Sequence, residues 1–546
     1  MKLTTALLLT ITLLPALEGC HVPLRAYRLD NPAIIVPPEF TTPQPTKAAD
    51  IAKQEKPCLN PENPICLAFI EVDDMGELFA KGEVDTALDV IRKANDQADT
   101  DPTQAAPVVI TFVHGWKNNA AEDNDNVAGF KLALQAVYQR LQETAPNQKH
   151  HIIGIFIGWR GNLIKQSWPV AQQLSYYNRE AAATRVPGAA LSSALTQIAT
   201  RTHENKDALA IYIGHSFGGL LLERSLSEAT ASQIAQATIF DQEAKEAQST
   251  AKKQTDPEVA NKKLNEAQEK AVAARLATDS RADLVIFINP AGAASEAKPM
   301  LDFLTYKGYV YRPGAQSDLT TETETTSSAG NDADRPLFVS LTSTADLATK
   351  VAMPIGHSLP DLEFKAEGSF RTLDQQDPAK KYSLECFDPH KTPPFSWRTK
   401  QQGAVDQSSY YMSTAPHMPI LQSHVMLKQI GADEMQVSST GQKIPITVKN
   451  AVAECNRDLF NQQGLNIVST FRLYDTQTCF AVQERPGRCN GTPYWLMEID
   501  PDVVPDHSTI FTKRFIWFLI DTYFAPKGHP LQRLSPRLVQ TQSGSH

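Results

Sequence analysis

The chain of 546 residues lacks a long internal hydrophobic run, an excess of basic charge and closely spaced metal-ligating residues. No stretch of eighteen or more apolar residues follows the amino-terminal segment, which excludes an internal membrane-spanning helix. Asp and Glu outnumber Lys and Arg by 61 to 52, and the net charge of −9 argues against a nucleic-acid partner. The close cysteine pairs lack two-residue spacing and an accompanying histidine cluster, so the sequence predicts no metal site.

The most informative segment that is present is Gly214-His215-Ser216-Phe217-Gly218-Gly219. The apolar run at 208–213 predicts a buried strand before it, and residues 220–226 predict the start of a helix after it. A serine flanked by glycines between a strand and a helix is typical of a strained turn that exposes a nucleophile. Side chains at positions 214 and 218 would collide with the neighbouring strand and helix. The alternative is a tight turn with a bystander serine.

A second apolar run, 108–113, ends in His114-Gly115-Trp116 about one hundred residues earlier. Together with the serine turn, it resembles the oxyanion loop and nucleophile elbow of the α/β-hydrolase superfamily. This resemblance implies a mostly parallel central sheet with helices on both faces and large insertions. It also implies that Ser216 is the nucleophile and that the backbone amides of Trp116 and Phe217 form the oxyanion hole. His114 would then shape the loop rather than act as the base.

The superfamily places its acid after the serine and beyond the carboxyl end of a strand. Residues 337–342 predict such a strand, and Asp346 follows it. Asp346 is therefore the predicted acid. The alternative is an amino-terminal cap for the next helical segment, and one carboxylate can fill both roles.

The predicted catalytic histidine is His507. It lies between a strand-like run at 494–499 and an apolar segment at 511–524 that suits a packed helix. This order resembles the last strand, histidine loop and final helix of the superfamily. His424 is the alternative, because about 160 residues separate Asp346 from His507 and a large insertion must lie between them.

The chemistry of these residue types is general. A serine hydroxyl needs a histidine within hydrogen-bond reach to take its proton, and a carboxylate fixes the imidazole tautomer. Two fixed amides stabilise the oxyanion of the tetrahedral intermediate. Such a site requires neither a cofactor nor a metal ion.

The amino terminus predicts export. A short basic start and the apolar run from Ala6 to Leu14 form a segment too short to span a bilayer. The segment closes in Leu17-Glu18-Gly19-Cys20, which resembles the lipobox of bacterial lipoproteins. The resemblance implies removal of residues 1–19, acylation of Cys20, and attachment to a membrane of the bacterial cell envelope by lipid alone. The alternative is an ordinary secretory signal with an incidental cysteine.

The other cysteines suit an oxidising compartment. Six remain after Cys20, and an even number in an exported chain predicts disulfides. We expect the local pairs Cys58–Cys66 and Cys479–Cys489, which leaves Cys386 with Cys455, although six cysteines allow fifteen arrangements.

The remaining sequence divides around one α/β core predicted over residues 66–350. Proline-rich residues 20–65 predict a tether from the lipid to the body. Residues 241–280 predict a polar helical hairpin, 320–334 a mobile loop, and 351–490 a cap or accessory region, before the last strand, histidine loop and helix in 491–546. A strand at 152–157 leads to Trp159 and Arg160, which are candidate pocket residues. Their alternative is a structural tryptophan with an exposed arginine.

The expected function is that of a serine ester hydrolase, resembling a carboxylesterase, in the bacterial cell envelope. The expected partners are an ester substrate and the membrane, with no nucleic acid. The polar hairpin suits water better than a lipid surface, which favours soluble esters. The alternatives are a lipase or phospholipase that acts on envelope lipids, and a non-catalytic lipoprotein scaffold that keeps the fold.

Overall fold

The computed structural model describes most of the predicted core. Its described residues are 22–38, 55–58, 63–163, 175–292, 294–304, 336–343, 345–348, 367–369, 409–411, 425–429, 467–472, 479–484 and 493–523. The loop predicted at 320–334 lies outside them, as do Cys20 and His424.

An eleven-stranded sheet organises the chain, in the order β1-β2-β4-β3-β5-β6-β7-β13-β10-β12-β11. From β2 to β10 in this order, each pair of adjacent strands is parallel, whereas the pairs β1–β2, β10–β12 and β12–β11 are antiparallel. The strands are β1 (Ala33–Ile35), β2 (Ile65–Glu71), β3 (Val108–Val113), β4 (Ile152–Gly158), β5 (Leu209–His215), β6 (Leu284–Ile288), β7 (Phe338–Ser343), β10 (Val425–Gln429), β11 (Ile467–Arg472), β12 (Cys479–Glu484) and β13 (Tyr494–Ile499). A separate antiparallel pair consists of β8 (Glu367–Ser369) and β9 (Ser409–Tyr411).

Helices cover both faces of this sheet, so the predicted α/β architecture with a mostly parallel sheet is confirmed. Their bounds are α1 (Lys81–Thr100), α2 (Asp125–Thr144), α3 (Tyr176–Arg185), α4 (Ala189–Thr202), α5 (Phe217–Lys253), α6 (Pro257–Asp279), α7 (Ala294–Leu304) and α8 (Lys513–Tyr523). Helices α1, α3, α4, α5 and α7 contribute to one apolar layer, and α2 and α8 contribute to the other. Strands β3 and β4 are buried along their whole length, which explains their continuous apolar sequences.

The pairing of β7 with β13 closes the core across the long insertion. Tyr494 to Ile499 lie in parallel register with Phe338 to Ser343. Part of the region predicted as a cap instead continues the sheet, because β10, β12 and β11 follow β13 at its edge. Extension of the sheet satisfies the backbone groups that an edge strand would leave unpaired.

The insertion predicted at 241–280 is built from two packed helices. Helix α5 begins directly after Ser216 and continues without a break to Lys253. Asp256 caps α6 by accepting a hydrogen bond from the Glu258 amide at 2.9 Å, and Pro257 occupies the first turn. Several apolar side chains of the pair are exposed, namely Ile239, Val259, Leu264, Val272 and Leu276.

The tether predicted for residues 20–65 is wrong for its described parts. Strand β1 pairs with β2, and Ile34 and Val36 are buried. The side chain of Arg28 is 1% exposed, lies over the ring of Phe69 and forms an ion pair with Glu55 at 2.6 Å. Proline content alone does not keep a segment extended when its apolar residues can cover a sheet edge.

The disulfide predicted between Cys58 and Cys66 is present and joins this segment to β2. Cys479 is also disulfide-bonded. Its predicted partner Cys489 lies outside the described residues, as do Cys386 and Cys455. Among the described helices, none is both long and apolar enough to cross a membrane.

Two buried carboxyl groups lie at the end of β2, and one of them fixes the amino-terminal segment there. Glu71 accepts hydrogen bonds from the amides of Tyr27 and Arg28, both at 2.7 Å, and Glu83 accepts one from the amide of Glu71 at 2.8 Å. Burial, together with the negative charge of Glu71, raises the pKa of Glu83 from 4.5 to about 7, although the Glu71 amide opposes the shift.

Glu83 therefore makes stability depend on pH. Because its folded pKa is raised, its contribution is complete below about pH 4.5 and declines as the pH rises through about 7. Glu83→Gln keeps an acceptor for the Glu71 amide and does not titrate. We expect the wild type to lose on the order of 2 kcal/mol relative to this variant between pH 5 and pH 8 in urea unfolding. Glu77→Gln, at an exposed carboxyl, is the matched control, and equal slopes for all three proteins would contradict the assignment.

Candidate active site

The turn between β5 and α5 holds Ser216 in a strained conformation. Its φ of 55° and ψ of −123° lie in a region that non-glycine residues rarely adopt. The glycines on either side are sterically required. A Cβ at Gly214 would lie 2.6 Å from the carbonyl oxygen of Gly218, and a Cβ at Gly218 would lie 2.2 Å from that of Val113. Any residue other than glycine at either position would therefore clash with the neighbouring backbone.

His507 bridges the other two predicted residues. Its Nε2 lies 2.8 Å from Ser216 Oγ, and its Nδ1 lies 2.9 Å from Asp346 Oδ2. The Asp346 carboxylate is fully buried, whereas the side chain of His507 is 21% exposed. A hydroxyl, an imidazole and a carboxylate in this order can transfer the serine proton to the ring and stabilise the imidazolium that results.

The loop after β7 holds Asp346 in place. The amide of Asp346 donates to the Ser343 carbonyl at 3.1 Å. Its second oxygen, Oδ1, accepts a hydrogen bond from the Ala348 amide at 2.9 Å, so the carboxylate also caps the segment that follows. Ser343 Oγ donates to the Val504 carbonyl at 2.5 Å and thereby links this loop to the one that carries His507.

Two residues that were not predicted from the sequence hold the histidine loop. Buried Asn289 donates from Nδ2 to the carbonyls of Asp506 and His507, both at 3.2 Å, and accepts from the Ser343 amide at 2.9 Å. His215 lies 2.8 Å from the His507 carbonyl through Nε2, which must carry the proton in this contact. Burial lowers the pKa of His215 to about 3, so this ring is neutral near pH 7 and acts as a support.

His114 also has a supporting position. It is fully buried, its Nδ1 lies 2.9 Å from the Gly115 carbonyl, and its Nε2 accepts a hydrogen bond from the Trp159 amide at 3.1 Å. Burial lowers the pKa of His114 to about 4. A neutral ring whose two nitrogens are both engaged fits the predicted role in shaping the loop.

The two candidate pocket residues are engaged within the protein. Trp159 is buried, stacks on His114 with ring centroids 5.7 Å apart, and donates from Nε1 to the His114 carbonyl at 2.8 Å. The guanidinium of Arg160 forms an ion pair with Asp74, which also pairs with buried Arg179 at 2.7 Å. For Trp159 the geometry favours the alternative of a structural residue, and the Arg160 guanidinium shares the single carboxylate of Asp74 with Arg179.

The predicted oxyanion amides lie next to the serine. A Cβ at Gly115 would be 2.8 Å from Ser216 Cβ, so the loop that carries Trp116 contacts the turn that carries Phe217. Within the described part of the chain, neither of these two amides donates to a backbone carbonyl in a turn, loop or helix cap. The ring of Trp116 packs edge-on against Tyr176, which in turn packs against Phe217.

The described residues contain no group of three or more His, Cys, Asp or Glu side chains that could hold a metal ion. No protein-family model matches the chain, and no curated protein or solved structure matches it significantly. We therefore infer the function from the arrangement of the side chains.

Gly218 provides a test of the turn itself. Gly218→Ala places a methyl group against the backbone carbonyls of Val113 and His114, which cannot move without disturbing β3. We expect a loss of roughly 2–4 kcal/mol of unfolding free energy or failure to fold. Gly82→Ala, where a Cβ has open space, is the control and should be neutral or slightly stabilising. Equal stability of the two variants would contradict the close approach.

Proposed function

We propose that the chain is a serine ester hydrolase of the α/β-hydrolase type. The observation that carries the proposal is His507, whose two ring nitrogens lie 2.8 Å from Ser216 Oγ and 2.9 Å from Asp346 Oδ2. The chain order Ser216, Asp346, His507, the parallel sheet and the strained turn support membership of that superfamily.

The proposed reaction begins with attack of Ser216 Oγ on the ester carbonyl carbon, while its proton passes to His507 Nε2. The amides of Trp116 and Phe217 stabilise the oxyanion. Collapse of this intermediate breaks the bond between the carbonyl carbon and the alkoxy oxygen, and His507 returns the proton to the leaving alcohol. A water molecule then attacks the acyl-enzyme with His507 as base, which releases the carboxylic acid and restores Ser216.

The proposed location is the bacterial cell envelope. The Leu17-Glu18-Gly19-Cys20 segment supports cleavage before Cys20 and acylation of that residue, and the Cys58–Cys66 disulfide suits an oxidising compartment. Lipid modification of Cys20 is tested by mass spectrometry of the amino-terminal peptide, with Cys20→Ala as the unmodified control.

The competing hypothesis is a lipoprotein scaffold that keeps the fold without catalysis. Labelling of the folded wild type with a serine-directed fluorophosphonate separates the two. An active site would give a covalent adduct on Ser216 that Ser216→Ala abolishes, whereas folded protein that stays unlabelled would favour the scaffold.

Substitution of the three central residues should remove turnover of a short-chain aryl ester. We expect Ser216→Ala and His507→Ala to lower kcat by more than about 10⁴-fold, because the nucleophile and its base act as a unit. Asp346→Asn should lower kcat by about 10³–10⁴-fold by removing the carboxylate that orients the imidazole. Ser193→Ala, at an exposed position of α4, and His424→Ala are the controls. Loss of activity in His424→Ala with activity retained in His507→Ala would overturn the histidine assignment.

Asn289 should act as a positioning residue. Asn289→Asp keeps the size, the tolerance of a φ of 44° and the acceptor for the Ser343 amide, but it loses the donor to the histidine loop. We expect kcat to fall by about 10–100-fold while KM changes little, because the substitution displaces the histidine loop and does not affect substrate binding.

The matched control for this substitution is Asn95→Asp on α1. Asn95 also donates from Nδ2 to a backbone carbonyl, that of Arg201 at 2.8 Å, but it lies far from Ser216 in the fold. The control should lose stability and keep kcat. Equal kcat values in both variants would show that Asn289 does not position His507.

A further inference from the structure

The first described residues lie on the carboxyl edge of the sheet. The amide of Val22 donates to the Leu163 carbonyl at 2.8 Å, and its carbonyl accepts a hydrogen bond from Arg160 at 3.4 Å. Leu163 and Arg160 both follow β4 at its carboxyl end. Residues 27 and 28 then bind Glu71 at the carboxyl end of β2. This segment therefore crosses the same edge of the sheet that carries Ser216.

The attachment of Val22 limits how far Cys20 can be from the site. Two peptide units separate the residues, so their Cα atoms are at most about 7.6 Å apart. Strand β4 lies two positions from β5 in the sheet, a distance of about 10 Å. A lipid on Cys20 is thus held within roughly 30 Å of Ser216. A free tether of residues 20–65 would instead allow a separation of roughly 150 Å.

Direct packing joins this attachment point to the serine. The Gly161 carbonyl accepts a hydrogen bond from the Lys117 amide at 2.9 Å, and a Cβ at Gly161 would lie 2.7 Å from the Gly115 carbonyl. Gly115 in turn contacts Ser216. The docked amino terminus and the oxyanion loop therefore belong to one packed surface, which cannot turn independently of the site.

Exposed apolar side chains occur along the same edge. Leu24 lies two residues after Val22, Met75 lies in the loop after β2, and Leu347 follows Asp346 beyond β7. They are 45%, 63% and 69% exposed, respectively. Five strand spacings separate β2 from β7, so apolar groups occur across about 24 Å of the edge. Apolar side chains on a surface held beside a bilayer can enter its interfacial region.

We propose that the lipid anchor and the active site face the same membrane, so that Ser216 hydrolyses acyl esters of lipids in the bilayer that holds the anchor. The inference rests on the proposed hydrolase function and on acylation of Cys20. The reaction consumes water and one lipid ester and releases a fatty acid and the deacylated lipid. The short connection between Cys20 and Val22 keeps the site at the lipid surface. It therefore favours membrane lipids as substrates over the soluble esters that the polar hairpin favoured.

The orientation is tested without reference to activity. An environment-sensitive fluorophore is placed on Met75→Cys at the carboxyl edge or on Lys206→Cys, which is exposed before β5 at the opposite edge. The lipidated full chain is reconstituted in phosphatidylcholine–phosphatidylglycerol vesicles that contain a nitroxide-labelled lipid. We expect strong quenching at position 75 and little at position 206. Equal quenching at the two positions would overturn the proposed orientation.

The substrate class is tested with an insertion that lengthens the connection. A twenty-residue Gly/Ser segment between His21 and Val22 keeps both Cys20 and the docked residues, and the same segment between Gln254 and Thr255 is the control. Each protein in vesicles is assayed on a soluble aryl acetate and on a fluorogenic diacyl phospholipid in the bilayer. We expect the first insertion to lower phospholipid hydrolysis at least five-fold and to leave aryl acetate turnover unchanged, while the control insertion changes neither.

The outcomes separate the two proposals. Turnover of aryl acetate without phospholipid hydrolysis would overturn the membrane substrate and leave the hydrolase function intact. Equal phospholipid hydrolysis by the two insertion variants would overturn the need for a short connection. Absence of both activities, with quenching still confined to position 75, would overturn the hydrolase function and with it the substrate, although the orientation would stand.

Discussion

The parallel pairing of β7 with β13 is the contact on which the site depends. Asp346 and His507 are 161 positions apart, yet each follows one of these two neighbouring strands. Six residue pairs in register bring the two loops to the same edge. Ser343 Oγ and the side-chain amide of Asn289 then donate hydrogen bonds to backbone carbonyls of the histidine loop. A large insertion can be accommodated between the strands because the cost of closing a loop grows only slowly with its length.

Backbone strain is concentrated at the same edge. The non-glycine residues with positive φ among those the structure describes are Lys117, Ser216 and Asn289. Each belongs to a turn that follows a central strand. Lys117 follows the proposed oxyanion loop, Ser216 is the proposed nucleophile, and Asn289 bonds the histidine loop. Such conformations cost about 1–3 kcal/mol each and persist only where the surrounding packing holds them. Here, that packing comes from close approaches such as those at Gly214 and Gly218.

The local sequence pattern was sufficient to predict the central strands, the turn at Ser216 and the helical pair after it, because each depends on contiguous residues. It also selected Asp346 and His507, since each follows a strand-like run. Asn289 was not predicted, because it cannot supply the carboxylate expected at a strand end, although a polar residue at that edge was a usable signal. The docking of residues 22–38 could not be read from their prolines, since it depends on Glu71 and Phe69, which are distant in sequence.

Three histidines surround the proposed nucleophile, and the fold makes them chemically unequal. His114 and His215 are buried with pKa values of about 4 and about 3, whereas the side chain of His507 is 21% exposed. A reagent that acylates accessible imidazoles therefore meets one ring of the three. Of these three rings, two are thus held as neutral hydrogen-bonding groups, and the third, that of His507, is open to react.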